Sequence, residues 1–138
     1  MAFDFGLRRI GVAVSDPTGM IARPLETLIV SGRKDAASRA KMLIDEYRPV
    51  GVIVGRPRNL SGHKSEIEEA AEKFSEDLQK KCDCEFYFED ERLTSRQAEA
   101  VLHEHGKKIK GNKPAIDRIA AALILQGFLD RRQMQGDI

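Results

Sequence analysis

Three acidic residues of this sequence lie where a carboxylate needs an explanation. Asp4 stands between two phenylalanines, Glu91 follows the strand-like run 84–90, and Asp117 lies near the start of the last predicted helix. A buried carboxylate is costly unless it is paired, protonated or bound to a metal ion. Convergent carboxylates bind Mg²⁺ or Mn²⁺, and two such ions about 4 Å apart can promote hydrolysis of a phosphodiester bond. The three acids therefore predict a metal site if the fold brings them together.

Each acid also has an explanation that involves no chemistry. Asp117 could interact only with the dipole of its helix, because a negative charge in the first turn is stabilising. Glu91 could form a surface loop pair with Asp90. Asp4 is the hardest of the three to explain in this way, since both of its neighbours are aromatic.

The elements that must position these acids follow from the spacing of apolar residues. Short β-branched or alternating runs predict strands, and stripes spaced by three or four residues predict helices. Residues 1–30 are predicted to form three antiparallel strands with a turn at "DPTG". Two further strands are predicted at 50–55 and 84–90. Helices are predicted around 36–47, 67–78, 94–102 and from 114 onward. The order β-β-β-α-β-α-β-α-α predicts an α/β fold with a mixed sheet flanked by helices. A central first strand beside the parallel strands could bring the three acids together.

Composition places the chain among soluble globular proteins. Its 138 residues suffice for a single domain, 1–138, and 41% hydrophobic beside 33% charged residues excludes a disordered chain. No apolar run reaches the roughly 18–20 residues of a membrane span, and no leader segment is evident, so we expect a cytoplasmic protein without membrane contact. Cys82 and Cys84 lie too close for an easy disulfide and lack further ligands at zinc-site spacing, which predicts ordinary reduced thiols.

Several basic residues are candidates for contact with nucleic-acid phosphates. The formal net charge is only +1, so the prediction depends on local clusters. The candidates are Arg9, Arg56, Arg58 and the lysines of "KKIKGNK", which are Lys107, Lys108, Lys110 and Lys113. For Arg9 three roles are open: contact with the scissile phosphate, neutralisation of the carboxylates, and a structural ion pair with Asp16. The lysines could equally belong to a solvated loop.

Four motifs in order resemble those of the YqgF family, bacterial proteins of the ribonuclease H-like superfamily related to the RuvC Holliday-junction resolvases. They are "FDFGLRRIGVAVSD", "VGRPRNLSG", "EDERLTS" and "IDRIAAALILQGFLD", and they span Asp4 to about Asp130. The resemblance implies a ribonuclease H-like fold and a nuclease that acts in maturation of the 5′ end of pre-16S rRNA. It also implies that Asp4, Glu91 and Asp117 are catalytic ligands of Mg²⁺ or Mn²⁺, with two ions expected. The extra cation Arg56 departs from the family's usual Gly-apolar-Pro and could alter substrate preference.

Other functions were weighed against this one. "DFG" matches the metal-binding motif of protein kinases, but the other kinase motifs are missing from the sequence. An actin-like or sugar-kinase-like ATPase would need a second domain, which 138 residues hardly accommodate. A Holliday-junction resolvase-like DNA endonuclease and a non-catalytic RNA-binding factor of ribosome assembly or transcription stay open. We expect pre-rRNA as the main partner, branched DNA or ribosomal assembly components as further partners, and a monomer or weak dimer.

Overall fold

The computed structural model of the protein describes residues 1–57, 63–91, 100–101, 103–104 and 112–135. Its strands and long helices are β1 Ala2–Asp4, β2 Arg9–Ser15, β3 Ala22–Ile29, α1 Arg33–Tyr47, β4 Gly51–Pro57, α2 Glu66–Gln79, β5 Glu85–Glu91 and α3 Lys113–Met134. This order agrees with the predicted one. The helix predicted around 94–102 lies mostly outside the described residues, although residues 100–101 and 103–104 have helical backbone.

The strands form one mixed sheet in the order β3-β2-β1-β4-β5. β1 pairs antiparallel with β2 and parallel with β4, while β2–β3 is antiparallel and β4–β5 is parallel. The short first strand therefore lies at the centre, the arrangement that could bring the three acids together, and joins the antiparallel half of the sheet to the parallel half. Because β1, β4 and β5 run in the same direction, their carboxyl ends meet at one edge, which we call the carboxyl edge.

Helices cover both faces of the sheet. On one face, α1 and α2 pack against residues such as Phe3, Val12 and Val54. On the other face, α3 packs against Ala2, Ala13 and Ile53. Successive side chains of a strand point to opposite faces, so the residues of each strand contribute alternately to the two cores. Both faces of the central strands are buried, which explains why the run 50–55 contains no polar residue.

The alternation also explains the sequence around Asp4. Phe3 and Phe5 both contact Phe74 of α2, with ring centroids 5.7 and 5.1 Å apart. Asp4 lies between them in the chain and therefore points to the opposite face, toward α3. The two phenylalanines are core residues, and the carboxylate is separated from them by the sheet itself.

The turn at "DPTG" forms as predicted. The Asp16 carboxylate accepts hydrogen bonds from the Thr18 hydroxyl at 2.7 Å and from the backbone N–H groups of Met20 and Ile21. These bonds hold the pKa of Asp16 below its usual value, with the Thr18 hydroxyl as the largest cause. Gly19 has a φ of 71°, a conformation that favours glycine. Asp16 is thus a turn residue.

The two cysteines match the expectation of ordinary thiols. Both are free and half-buried against the α1–α2 core. Burial is the main cause that raises the pKa of each thiol, so both are protonated at neutral pH. In the described part of the chain, no helix is long and apolar enough to cross a membrane.

Candidate active site

Asp4 lies between two glycines at the carboxyl edge. Its Cα partner is Gly11 in β2 and Gly55 in β4, so neither neighbouring strand places a side chain beside the carboxylate. Asp4 is partly exposed, whereas Ala2 and Phe3 of the same strand are buried. The strand register therefore places only glycines beside this carboxylate on the α3 face of the sheet.

Helix α3 closes onto Gly11 at the position of Asp117. A Cβ atom built on Gly11 would lie 1.9 Å from the Asp117 carbonyl oxygen and 2.3 Å from its carbonyl carbon. Only glycine permits this approach of helix backbone to strand backbone. Since Gly11 is also the register partner of Asp4, the contact brings Asp4 and Asp117 to the same place.

Arg9 forms an ion pair with Asp117. Its Nε donates to Asp117 Oδ2 at 2.7 Å, and the two side chains are 38% and 20% exposed. The predicted alternative, an ion pair with Asp16, is wrong, because Asp16 is used in its own turn. Asp117 is the fifth residue of α3, beyond the first turn, so interaction with the helix dipole does not account for it.

Two polar anchors hold α3 in this position. The Thr27 hydroxyl of β3 donates to the Pro114 carbonyl, and Arg118 Nη1 donates to Thr27 Oγ1 at 3.4 Å. Farther along the helix, Gln126 accepts from the Ala22 N–H at 2.8 Å and donates to the Met20 carbonyl at 2.9 Å. These bonds fix the helix along the β2–β3 hairpin, and with it the position of Asp117.

Glu91 is the last residue of β5 and belongs to the same edge. Asp4, Gly55 and Glu89 form one row across the sheet, and Glu91 lies two residues beyond Glu89. Two strand spacings and two residues along a strand separate the Asp4 and Glu91 backbones by roughly 12 Å. The side chain of Glu91 lies outside the described part of the structure.

Arg56 lies on the opposite face of the sheet from Asp117. It bonds Glu72 of α2 at 2.8 Å and Asp90 of β5 at 3.1 Å, and its guanidinium lies 4.6 Å from the centroid of the Phe88 ring. These contacts link α2 to the parallel half of the sheet. Its predicted contact with nucleic acid stays a prediction, and a bound phosphate would have to compete with two carboxylates.

The other predicted basic residues are only partly visible. Lys113 is the first residue of α3 and is exposed. It lies at the end of the helix that is near the carboxyl edge. Arg58, Lys107, Lys108 and Lys110 lie outside the described residues. Their predicted contact with phosphates stays a prediction.

The residues at the carboxyl edge fit a hard divalent cation. Asp4 and Asp117 carry carboxylate oxygens, the ligands that Mg²⁺ and Mn²⁺ prefer, and both residues lie beside Gly11. Among the described side chains, no three His, Cys, Asp or Glu residues lie close enough together to form a complete metal site. The third predicted ligand, Glu91, belongs to the part that is not described.

Sequence reasoning missed the residues that position the acids. A glycine inside a strand, such as Gly11, often marks close approach of another backbone, but the sequence does not show that this backbone is that of Asp117. Thr27 and Gln126 carry no sequence signal of their own, because their partners lie 87 and 104 residues away along the chain.

The chain is similar to known proteins over nearly its whole length. Residues 1–131 match the family model described as RuvX, Holliday junction resolvase. A Koribacter versatilis protein named as a pre-16S rRNA nuclease is 41% identical over 132 residues, which cover 96% of this chain and 86% of that protein. A Lactococcus lactis protein (subsp. cremoris, strain MG1363) with the same name is 37% identical over 137 residues, which cover 98% and 96%.

Solved structures share the fold at low sequence identity. Thermus thermophilus RuvC in complex with a Holliday junction substrate gives a TM-score of 0.58 at 17% identity, covering 95% of this chain and 92% of that one. The fowlpox virus Holliday junction resolvase gives 0.55 at 14%, covering 94% and 96%. The predicted ribonuclease H-like fold is thereby confirmed. The match over nearly the whole chain shows that this protein belongs to the RuvX family, the family that the four sequence motifs resemble.

Proposed function

We propose that this protein is a metal-dependent nuclease that hydrolyses phosphodiester bonds during maturation of the 5′ end of pre-16S rRNA, in the cytoplasm. The observation that carries the proposal is the convergence of Asp4 and Asp117 over Gly11 at the carboxyl edge. Asp4 and Asp117 come from distant parts of the chain, and both are neighbours of Gly11. The names of the relatives support RNA as the substrate.

In this proposal Asp4, Glu91 and Asp117 hold Mg²⁺ or Mn²⁺, with two ions expected. The bound ions would lower the pKa of an attacking water and stabilise the leaving oxygen of an in-line displacement. The protein orients the reaction through the fixed backbone of β1 and the anchored helix α3. Lys113, together with Arg58, Lys107, Lys108 and Lys110, would hold the nucleic-acid backbone through phosphate contacts, which position the strand without reading its sequence.

Arg9 has a double role in the proposed mechanism. Without an ion it neutralises Asp117 through the 2.7 Å pair. When carboxylate oxygens are taken by an ion, its guanidinium is free to bind a non-bridging phosphate oxygen of the substrate, a contact that arginine forms well.

The test is cleavage of a precursor 16S rRNA fragment by the pure protein in Mg²⁺ or Mn²⁺. Asp4→Asn, Glu91→Gln and Asp117→Asn each keep the side-chain shape and remove the charge that holds an ion. We expect each variant to lose at least about 100-fold in cleavage rate, and paired variants to lose little more, because residues of one site act as a unit. Asp45→Asn, an exposed acid on α1, is the matched control and should cleave at the parental rate.

Each competing function predicts a different result. Moderate losses that multiply in the paired variants would show that the three acids act separately and would overturn the shared site. Faster cleavage of a matched four-way DNA junction than of precursor rRNA would favour a resolvase-like endonuclease, which the family description and the fold both make the second candidate. Tight RNA binding without cleavage in either metal would favour a non-catalytic assembly factor.

A further inference from the structure

A large cleft opens at the edge of the sheet opposite the carboxyl edge. It lies where β4 and β5 begin, is bounded by the end of α1 and the last turns of α3, and has a volume of about 840 Å³. We call it the basal cleft and define it by Arg23, Arg48, Arg132, Tyr47, Tyr87 and Phe128. Clefts of roughly 300–1,000 Å³ accommodate small-molecule ligands, a size comparable with one or two nucleotides.

The three arginines of the basal cleft have no carboxylate partner among the described residues. Within the described residues, none of Arg23, Arg48 and Arg132 forms an ion pair. By contrast, Arg33 and Arg39 elsewhere in the protein are each paired with an aspartate. The cleft therefore gathers guanidinium groups whose charge the described protein leaves uncompensated.

The acids that line the same cleft are already engaged. The Asp16 carboxylate accepts three hydrogen bonds in its own turn, and Glu85 accepts the Tyr87 hydroxyl. Three arginines against these two carboxylates give the cleft an excess of positive charge, which favours an anionic ligand.

Aromatic rings stand beside the arginines. Tyr87 and Phe128 contact each other with centroids 5.0 Å apart, and the Arg132 guanidinium lies 5.8 and 5.4 Å from their centroids. Both distances are within the range of a cation–π interaction, which leaves the guanidinium charge available to an anion. Tyr47 at the end of α1 is 37% exposed, so part of its ring is available to a ligand.

We propose that the basal cleft is a second nucleic-acid-binding site, which holds a single-stranded segment of the RNA away from the point of cleavage. Guanidinium groups would bind its phosphates, and a base would stack on an exposed aromatic ring, the combination that sequence-tolerant single-strand binding uses. The aromatic rings favour RNA as the ligand, because an acidic peptide would use only the positive charges of the arginines. The inference rests on the proposed function, because it assumes an RNA substrate.

The experiment measures binding without cleavage. A fluorescein-labelled, unstructured ten-nucleotide RNA is titrated with protein in EDTA over a range of salt concentrations, and fluorescence anisotropy gives the Kd. We expect the double variant Arg23→Ala/Arg48→Ala to weaken binding about tenfold and to reduce the salt slope by roughly 1.4, since each phosphate contact on a single strand contributes about 0.7. Tyr47→Ala should weaken binding with little change in salt slope, because stacking releases no counterion.

The matched control is Lys34→Ala/Lys80→Ala, which removes the same charge from exposed residues outside the cleft. Equal losses in the control and the cleft variant would overturn the site, since they would reflect net charge alone. Displacement of the RNA by polyglutamate at equal charge, or by a nucleoside monophosphate at equal concentration, would also overturn it, in favour of an acidic peptide or a free nucleotide. Because no cleavage is required, this result is independent of the test of the carboxylates.

Discussion

The ion pair between Arg9 and Asp117 bears directly on metal binding. The pair uses a carboxylate oxygen that a divalent ion would also use, so the arginine and the ion compete for the same group. The Arg9 side chain is 38% exposed, and pairs this exposed contribute only about 0.2–1 kcal/mol to stability. An ion that binds two or three carboxylates can therefore displace the arginine at small cost.

This competition gives a prediction for Arg9→Gln. We expect the variant to bind Mn²⁺ more tightly, by up to about fivefold, because displacement of the guanidinium no longer opposes binding. Isothermal titration calorimetry measures the affinity directly and does not depend on activity. Cleavage should nevertheless fall, since the phosphate contact proposed for Arg9 is lost.

The control for this prediction is Arg39→Gln, which breaks a comparable exposed pair with Asp35 on α1. It should leave both Mn²⁺ affinity and cleavage unchanged. Unchanged affinity in Arg9→Gln as well would mean that the pair with Asp117 does not oppose the ion. Cleavage at the parental rate would remove Arg9 from the mechanism altogether.

Among the elements, the contact between α3 and β2 determines where Asp117 lies. Gly11→Ala would place a methyl group 1.9 Å from the Asp117 carbonyl oxygen, so the helix must move or the strand must bend. We expect a loss of about 3 kcal/mol in the free energy of unfolding, at the upper end of the usual cost of overpacking, together with loss of cleavage. Urea denaturation measures the first effect.

Gly51→Ala is the matched control in the same sheet. Its new methyl group would meet the nearest atom, Cε2 of Tyr87, at 3.5 Å, which is ordinary van der Waals contact. The expected change is within about 0.5 kcal/mol. Similar losses in the two variants would show that alanine is disfavoured in these strands for a reason other than the approach of α3.

The elements themselves could be predicted because their signals are local. The helix α1 ends at Tyr47, where the apolar stripe predicted its end, and β4 appears at its continuous apolar run. The sequence permits a central β1 but does not require it, because strand order depends on pairing between distant segments. The strand β3, Ala22–Ile29, lies within the segment predicted to form three antiparallel strands, and its pairing with β2 includes Pro24.

The site could be predicted only in part, because its contacts are not local. Three acids could be singled out by context, and the structure places the backbones of all three at one edge of the sheet, but the partner of Arg9 is 108 residues away. Nothing in the sequence distinguishes Asp117 from Asp16 as that partner. The contacts of Arg56 with Glu72 and Asp90 depend likewise on the packing of α2 against the sheet.

At the scale of the whole molecule, the two edges of the sheet differ in charge. The carboxyl edge gathers the candidate metal ligands Asp4 and Asp117, and the opposite edge gathers arginines without carboxylate partners among the described residues. A seven-residue strand such as β4 spans roughly 23 Å between them. A single RNA strand that reached both edges would be cut at one and held at the other.

The last prediction uses the stability of the whole domain to detect metal binding at the carboxyl edge. An ion that binds the folded site and not the unfolded chain stabilises the fold by mass action. At ten times its Kd, Mg²⁺ should add about 1.4 kcal/mol, which for a domain of this size raises the Tm by about 5 °C. The measurement is thermal unfolding in Mg²⁺ against NaCl of equal ionic strength. Asp117→Asn should abolish the rise, because the site loses one of its ligands, whereas Asp45→Asn on α1 should keep it. A rise that persisted in Asp117→Asn would place the bound Mg²⁺ elsewhere on the protein and would contradict the proposed metal site.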